Sequence, residues 1–115
     1  MANVIVCGGR DFDEYELLET VLDEILRLEQ DITIIHGGAR GADRLAGQYS
    51  KDRGYATVVF PADWDKHKKG AGYIRNQRML DEGKPDMVIA FPGGKGTKDM
   101  VKRSVKSGVR TIILE

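Results

Sequence analysis

A glycine-rich stretch late in the chain has the residue types of a phosphate-binding turn. It reads Phe91-Pro92-Gly93-Gly94-Lys95-Gly96-Thr97 and lies between an apolar run at 87–90 and a helical pattern at 98–107. Glycines at this position let the backbone turn sharply and approach a ligand closely. The N-terminus of the helix that follows offers unpaired N–H groups and the positive end of its dipole to an anion. Lys95 adds a positive charge, and Thr97 adds a hydroxyl that can cap the helix or donate to phosphate. The alternative is a tight turn that binds nothing.

A second glycine-rich turn follows another apolar run. His36-Gly37-Gly38-Ala39-Arg40-Gly41 comes directly after 32–35, and Asp43 falls in the first turn of the next predicted helix. Two such helix N-termini suit phosphate or pyrophosphate. His36 is expected to orient the turn by hydrogen bonding, because the chain lacks the Cys/His pattern of a metal site and none is predicted. Asp43 can accept from a ribose hydroxyl or simply favour its own helix dipole.

Basic and aromatic residues accompany these turns. Arginine favours forked contacts to phosphate or carboxylate, although each arginine could equally be a solvated or ion-paired surface residue. Trp64 can stack on a base or cover the core, and covering the core is the simpler expectation. The further candidates for ligand contact are Gly8, Gly9, Arg10, Trp64, Arg75, Asn76 and Arg78.

Strands and helices alternate along the whole chain. The apolar runs predict strands at 4–7, 32–35, 56–60, 87–90 and 111–114. Asp13 followed by Glu16 predicts a capping box at the start of the first helix. The last helix is expected to bury one face that carries Val101, Ser104, Val105 and Gly108. This alternation predicts one Rossmann-like three-layer α/β/α domain over 1–115, with a mainly parallel five-stranded sheet covered on both faces. Every unusual turn follows a strand, so all of them are expected at the carboxyl edge, where such sheets bind ligands.

Composition narrows the functional classes. The chain has 115 residues, is 41% hydrophobic and carries no formal net charge, which is typical of one ordinary globular domain and argues against a nucleic-acid or membrane-surface binder. The single Cys7 excludes an internal disulfide and is expected to be buried. We see no signal peptide and no apolar segment of membrane-spanning length, so a cytoplasmic location is expected. The P-loop, the complete dinucleotide fingerprint and the nucleophile elbow are absent, and no cofactor is predicted.

Several of these motifs, taken in order, resemble the SLOG superfamily. They are Gly8-Gly9-Arg10, the stretch 36–43, the Trp64 region, the stretch 71–79 and the stretch 92–97. The pattern covers nearly the whole chain and is most similar to the YspA-type branch of small stand-alone proteins, often encoded by phages. The resemblance implies a Rossmann-like fold that binds nucleotides or nucleotide derivatives. The superfamily also includes the Lonely Guy phosphoribohydrolases, DNA-processing protein A and sensors of ADP-ribose-type signals.

The resemblance bears on catalysis as well. The phosphoribohydrolases carry Pro-Gly-Gly-x-Gly-Thr-x-x-Glu and an upstream arginine, and Arg75 resembles that arginine, which makes it the candidate catalytic residue. Met100 stands at the glutamate position and offers no proton chemistry. Asp99 is adjacent, but one residue turns a helical side chain by about 100°. The resemblance therefore implies a retained phosphate cradle and a weakened case for hydrolysis.

The leading hypothesis is a protein that binds an ADP-ribose-like ligand or a nucleoside phosphate, as a sensor or by sequestering it. Gly93, Gly94, Gly96 and Thr97 would hold phosphate, and the second turn would hold another anionic group or a ribose. One alternative is a nucleotide hydrolase of the phosphoribohydrolase type, and another is single-stranded DNA binding, which the neutral charge disfavours. Related proteins often pair through helices, so a homo-oligomer is compatible with the resemblance.

Overall fold

The computed structural model describes residues 2–115, in which five strands form one parallel sheet. The strand order is β3-β2-β1-β4-β5, and all four neighbouring pairs run in the same direction. This arrangement confirms the Rossmann-like α/β fold with a five-stranded sheet. The strands are β1 (Ala2–Cys7), β2 (Ile32–His36), β3 (Ala56–Val59), β4 (Met87–Ala90) and β5 (Arg110–Ile113).

Helices cover the two faces of the sheet and make separate cores. One core packs α1 and α2 against alternate strand residues such as Val4 and Val6. The other packs α4 and α5 against the residues between them, such as Ile5 and Cys7. None of the helices in the described part of the chain has the length and apolar character needed to cross a bilayer. The helices are α1 (Tyr15–Leu26), α2 (Ala42–Arg53), α3 (Trp64–His67), α4 (Ala71–Gly83) and α5 (Lys95–Lys106), with a 3₁₀ turn at Lys68–Gly70.

The strand order places the expected ligand crevice between β1 and β4. From β1 the chain moves outward to β2 and β3, then returns to lay β4 on the other side of β1. The connections after β1 and β4 therefore diverge and leave a crevice beyond the carboxyl ends of these strands. The central strands are buried, whereas the edge strand β3 is exposed along its length and Ile113 of β5 is 54% exposed. The expectation that helices cover both faces of the sheet therefore holds only for its central strands.

The capping box predicted at the first helix is wrong. Helix α1 begins at Tyr15, its N-cap position is Glu14, and no side chain of residues 2–115 caps it. Phe12 and Tyr15 pack against the first core, and the Tyr15 N–H bonds the Asp13 carbonyl at 3.2 Å. Packing of these two aromatic rings sets the start of the helix and overrides the local capping signal.

The buried face predicted for the last helix is also partly wrong. Met100 and Ser104 are buried in α5, whereas Val105 is 61% exposed. Met100 packs with Met79 and Leu80 of α4 in the second core. The helix begins at Lys95 rather than at 98, so the last three residues of the glycine-rich stretch form its first turn.

Candidate functional site

The glycine-rich turns after β1, β2 and β4 contact one another through their backbones. The Gly9 N–H donates to the Pro92 carbonyl at 2.9 Å. The Gly9 carbonyl in turn accepts from the N–H of Ala42, the first residue of α2, at 3.1 Å. Three turns that are far apart in sequence therefore meet at the carboxyl edge of the sheet, with the turn after β1 in the middle.

Some of the glycines are required by this packing between turns. Gly41 has a φ of +79°, and a Cβ there would collide with the carbonyl oxygens of Gly9 and Arg10. A Cβ on Gly93 would collide with the Thr97 hydroxyl and would lie 2.6 Å from the Gly9 nitrogen. Packing between the turns thus requires glycine at both positions, although Gly93 remains exposed and Gly41 is partly exposed.

Gly94 and Gly96 differ from these glycines because they face open space. A Cβ at either position would meet no heavy atom of residues 2–115 within 4 Å. Gly94 occupies the N-cap position of α5, and no side chain in the described structure caps that helix. Lys98 is the first residue of α5 whose N–H reaches the Gly94 carbonyl, at 3.0 Å, so the amides of the preceding turn lack helical acceptors. The N-terminus of α5 is therefore open to an anion.

A two-lobed cleft lies in front of this helix end. The first lobe has a volume of about 370 Å³ and the second about 500 Å³, sizes that suit a small-molecule ligand. The lobes share the walls Arg10, Ala39, Trp64 and Arg75. The first lobe also contains Gly8, Gly9, Asp43, Lys69, Gly72, Tyr73, Asn76 and 94–97 over a floor of Cys7, Met79 and Met100, and the second continues to Gly37, Gly38, Arg40 and Pro61.

Arg75 lies where the two lobes meet. Its Nη1 donates to the Gly37 carbonyl at 2.6 Å and to the Phe60 carbonyl at 3.5 Å, and its Nε donates to Asn76 Oδ1 at 3.1 Å. Its Nη2 has no acceptor among residues 2–115. Burial lowers the pKa of this guanidinium, and the nearby Asp43 carboxylate opposes that effect. Arg75 is thus held by backbone oxygens with one amino group left for a ligand.

Asp43 organises the second turn from the first helical turn of α2. Its Oδ2 accepts from the Gly37 and Ala39 N–H groups, both at 3.2 Å, and its side chain is buried. Burial raises the pKa of this carboxyl, although the two amides and Arg75 lower it in part. Asp43 lines the first lobe, where a ligand could reach it. Its contact with a ribose hydroxyl stays a prediction.

His36 has the loop-orienting contact expected of it. The ring is buried, and its Nδ1 accepts from the Gly38 N–H at 3.0 Å. It lines neither lobe of the cleft. Burial, and then the Arg75 charge, lower its pKa, which keeps the ring neutral and Nδ1 available as an acceptor. The structure therefore gives His36 a supporting position behind the second turn and no direct place in the cleft.

We expect this buried histidine to make stability depend on pH. Because its pKa is lower in the folded protein than its usual 6.5, the unfolded chain takes up the proton first as pH falls. The free energy of unfolding therefore keeps its full value above pH 6.5 and decreases as the pH falls from there through the lower pKa of the folded protein. Urea unfolding at pH 7.5 and 5.5 should show this loss in the wild type and a smaller loss in His36→Asn, whose side-chain oxygen can replace Nδ1. An equal loss in the two proteins would contradict this role, since Asp43 titrates in both.

Asn76 is a structural residue of the site. It is buried, and its Nδ2 donates to the Gly96 carbonyl at 3.2 Å and to Asp99 Oδ2 at 3.0 Å, which ties α4 to the first turn of α5. Asp99 also accepts from Arg103 at 2.8 Å. Asp99 therefore lies outside the cleft, while Met100 lies on its floor.

The arginines predicted for the site separate in the structure. Arg78 pairs with Glu82 at 2.9 Å, lies over the Phe60 ring at 5.5 Å and lines neither lobe, so the structure does not place it in the cleft. Arg40 lines the second lobe and pairs with Asp11 at 3.3 Å on the exposed rim. The other positive charges of the cleft come from Arg10, Arg75 and Lys95, which were predicted, and from Lys69, which was not.

The segment that carries Trp64 and Lys69 was not recognised as helical from the sequence. Asp63 accepts from the Lys66 N–H at 3.1 Å and caps α3, a signal that the sequence did contain. The simpler expectation for Trp64, that it covers the core, is wrong, because the ring is 48% exposed and lines both lobes. Lys69 and Tyr73 of the first lobe were not among the predicted site residues; Lys69 lies in the 3₁₀ turn of this segment, and Tyr73 lies in the first turn of α4.

Two similarities to known proteins agree with this geometry. The family model described as the YspA, cpYpsA-related SLOG family matches residues 2–67, which include the first two glycine-rich turns and α3. The chain is also 32% identical over 120 residues to the Gene 61 protein of Mycobacterium phage D29, covering 97% of this chain and 95% of that protein. Within residues 2–115 no group of three or more His, Cys, Asp or Glu side chains could hold a metal ion. The chain belongs to the YspA, cpYpsA-related SLOG family.

Proposed function

We propose that the protein binds a nucleotide or a nucleotide derivative, of the ADP-ribose or nucleoside phosphate type, in the two-lobed cleft. One observation carries the proposal: the uncapped N-terminus of α5 opens into a cleft whose other charged walls include Arg10, Arg75 and Lys95. A helix N-terminus with adjacent cations stabilises a phosphate group. Membership of the SLOG family is consistent with a nucleotide-related function.

The two lobes suggest where the parts of such a ligand would lie. One phosphate would bind the amides of Lys95, Gly96 and Thr97, with the Lys95 ammonium beside it. A second anionic group or a ribose would occupy the lobe formed by Gly38 and Arg40. The free Nη2 of Arg75 lies between the two positions and could contact both. This division supports a ligand that is charged at more than one point, held for sensing or sequestration.

Hydrolysis of the ligand is a second candidate, and one observation favours it. Asp43 is a buried carboxyl in the first lobe whose pKa is raised by burial, as in many general acids and bases. Against it, Oδ2 already holds two backbone amides. Met100 offers no proton chemistry on the floor of the cleft, and Asp99 is ion-paired outside it. Chromatography of the protein incubated with AMP or ADP-ribose would detect a released base and separate a hydrolase from a binder.

Gly94→Val tests the binding proposal. A Cβ at this position meets no heavy atom of the described residues within 4 Å, so we expect the fold to be retained, while the added isopropyl group blocks access to the α5 amides. Calorimetry with AMP and ADP-ribose should show affinity reduced by at least about tenfold, equivalent to ~1.4 kcal/mol. Lys106→Ala, at the opposite end of α5, is the control and should bind as the wild type does. Wild-type protein that binds no ligand, or a folded Gly94→Val that binds normally, would refute the proposal.

A further inference from the structure

Trp64 is placed in the cleft in a way that core packing does not explain. It is the only tryptophan of the chain and begins the short helix α3. Its ring is 48% exposed and lines both lobes. Indole carries a large apolar surface, and tryptophan is enriched at surfaces that a partner covers. The ring therefore offers a flat face toward the place where the ligand is proposed to bind.

Two arginines border this ring. The Arg10 guanidinium carbon lies 5.5 Å from the ring centroid, as in a cation–π contact. At the ring's edge, a Cβ added to Gly72 would lie 3.7 Å from Trp64 Cη2 and 3.7 Å from Arg75 Nη2. The edge of the indole and the free amino group of Arg75 thus approach the same glycine. An aromatic face with one cation over it and a second near its edge matches a ligand that joins a planar ring to an anionic group.

We infer that Trp64 is the platform on which the base of the ligand stacks, and that Arg10 covers this platform only until the base arrives. The inference rests on the proposed function and adds a reason why the cleft would prefer a nucleoside phosphate to a sugar phosphate. A guanidinium over an exposed ring is held weakly, whereas a nucleobase stacked on an indole buries both flat surfaces. Arg10 is exposed and carries no ion pair in the described structure, so it is free to move. Once displaced, its guanidinium gains forked contacts to a phosphate of the same ligand.

This arrangement predicts a preference among phosphate compounds. A nucleoside phosphate supplies both the ring for Trp64 and the anion for Arg10 and the α5 amides. Ribose 5-phosphate supplies the anion alone and leaves Arg10 over the indole. We therefore expect AMP to bind at least about tenfold more tightly than ribose 5-phosphate. Tyr73, which is 40% exposed on the wall formed by α4, adds a further aromatic surface to the same lobe.

Because the chain has a single tryptophan, fluorescence excited at the red edge of the indole absorption band, where tyrosine absorbs little, reports on this position alone. Titration of the wild type with AMP should quench the emission of Trp64, whereas ribose 5-phosphate should leave it nearly unchanged. Calorimetry on Trp64→Leu should show the preference for AMP over ribose 5-phosphate reduced to less than about threefold. Trp64→Phe keeps an aromatic face and should retain most of the preference. Arg10→Ala should weaken AMP, leave the affinity for ribose 5-phosphate nearly unchanged, and retain the quenching by AMP.

The outcomes separate this inference from the proposed function. Equal affinities for AMP and ribose 5-phosphate in the wild type, with no change in fluorescence, would overturn the inference and leave a phosphate-binding cleft in place. Unaltered preference in a folded Trp64→Leu would overturn it as well. Failure of the wild type to bind AMP, ribose 5-phosphate and ADP-ribose in calorimetry would remove both the inference and the proposed function.

Discussion

Replacing Arg75 with alanine is expected to weaken nucleotide binding by roughly 10- to 100-fold, the range that corresponds to losing a charge-assisted hydrogen bond. The side chain fixes the second turn through the Gly37 carbonyl at 2.6 Å and leaves Nη2 for the ligand. The substitution removes both the contact to the ligand and the support of the turn. Isothermal calorimetry with AMP or ADP-ribose measures the loss directly.

Two variants of the same helix make this prediction specific. Arg75→Lys keeps the charge but not the planar fork, so we expect affinity between those of the wild type and the alanine variant. Arg78→Ala removes an arginine one turn further along α4 that pairs with Glu82 and lines neither lobe. Its affinity should match the wild type. Equal losses in Arg75→Ala and Arg78→Ala would mean that the positive charge of α4 acts only at long range.

Gly41→Ala is expected to lower the free energy of unfolding by about 3 kcal/mol or more, a large part of the ~5–15 kcal/mol typical of a domain. Gly41 has φ +79° and ψ −130°, a conformation that residues with a Cβ rarely adopt. The added methyl group would also collide with the carbonyl oxygens of Gly9 and Arg10. The substitution would force the turns after β1 and β2 apart, so ligand binding should be lost along with stability.

Gly54→Ala is the matched control for this effect. Gly54 also has a positive φ, +72°, but it closes α2 in the left-handed helical region, and a Cβ there meets no atom within 4 Å in the described structure. Its substitution should cost only about 1 kcal/mol of backbone strain. Urea denaturation of the two variants separates the two effects, because Gly41→Ala combines an atomic collision with backbone strain and Gly54→Ala introduces backbone strain alone. Similar losses would show that the turns after β1 and β2 are not packed as described.

The architecture was predictable because it follows from short-range patterns and general topological rules. Apolar runs that each end in a glycine-rich turn, separated by helical periods, leave a parallel sheet as the natural solution. Strand carboxyl ends lie at one edge of such a sheet, so the turns at 8–10, 36–41 and 92–97 were expected to converge, and they do. The family resemblance added the expectation that this edge of the sheet binds nucleotides or nucleotide derivatives.

The details of the site depended on helical phase and tertiary contact, which the sequence does not reveal. Arg75 and Arg78 are three residues apart on one helix, yet one lines the cleft and the other lies over Phe60. The glycines Gly93 and Gly94 are neighbours, yet the first packs against another turn and the second faces open space. Composition is the same in each pair, and only the three-dimensional neighbours distinguish their roles.

The central claim is that a phosphate-bearing ligand binds the open end of α5 between the converging turns. Amide chemical shifts of the ¹⁵N-labelled protein, recorded during titration with AMP and with ADP-ribose, test it residue by residue. We predict the largest changes at the amides of Lys95, Gly96 and Thr97, with smaller changes at Gly9 and Gly38. Changes confined to surfaces away from the cleft, or unchanged spectra at millimolar concentrations of both ligands, would contradict it.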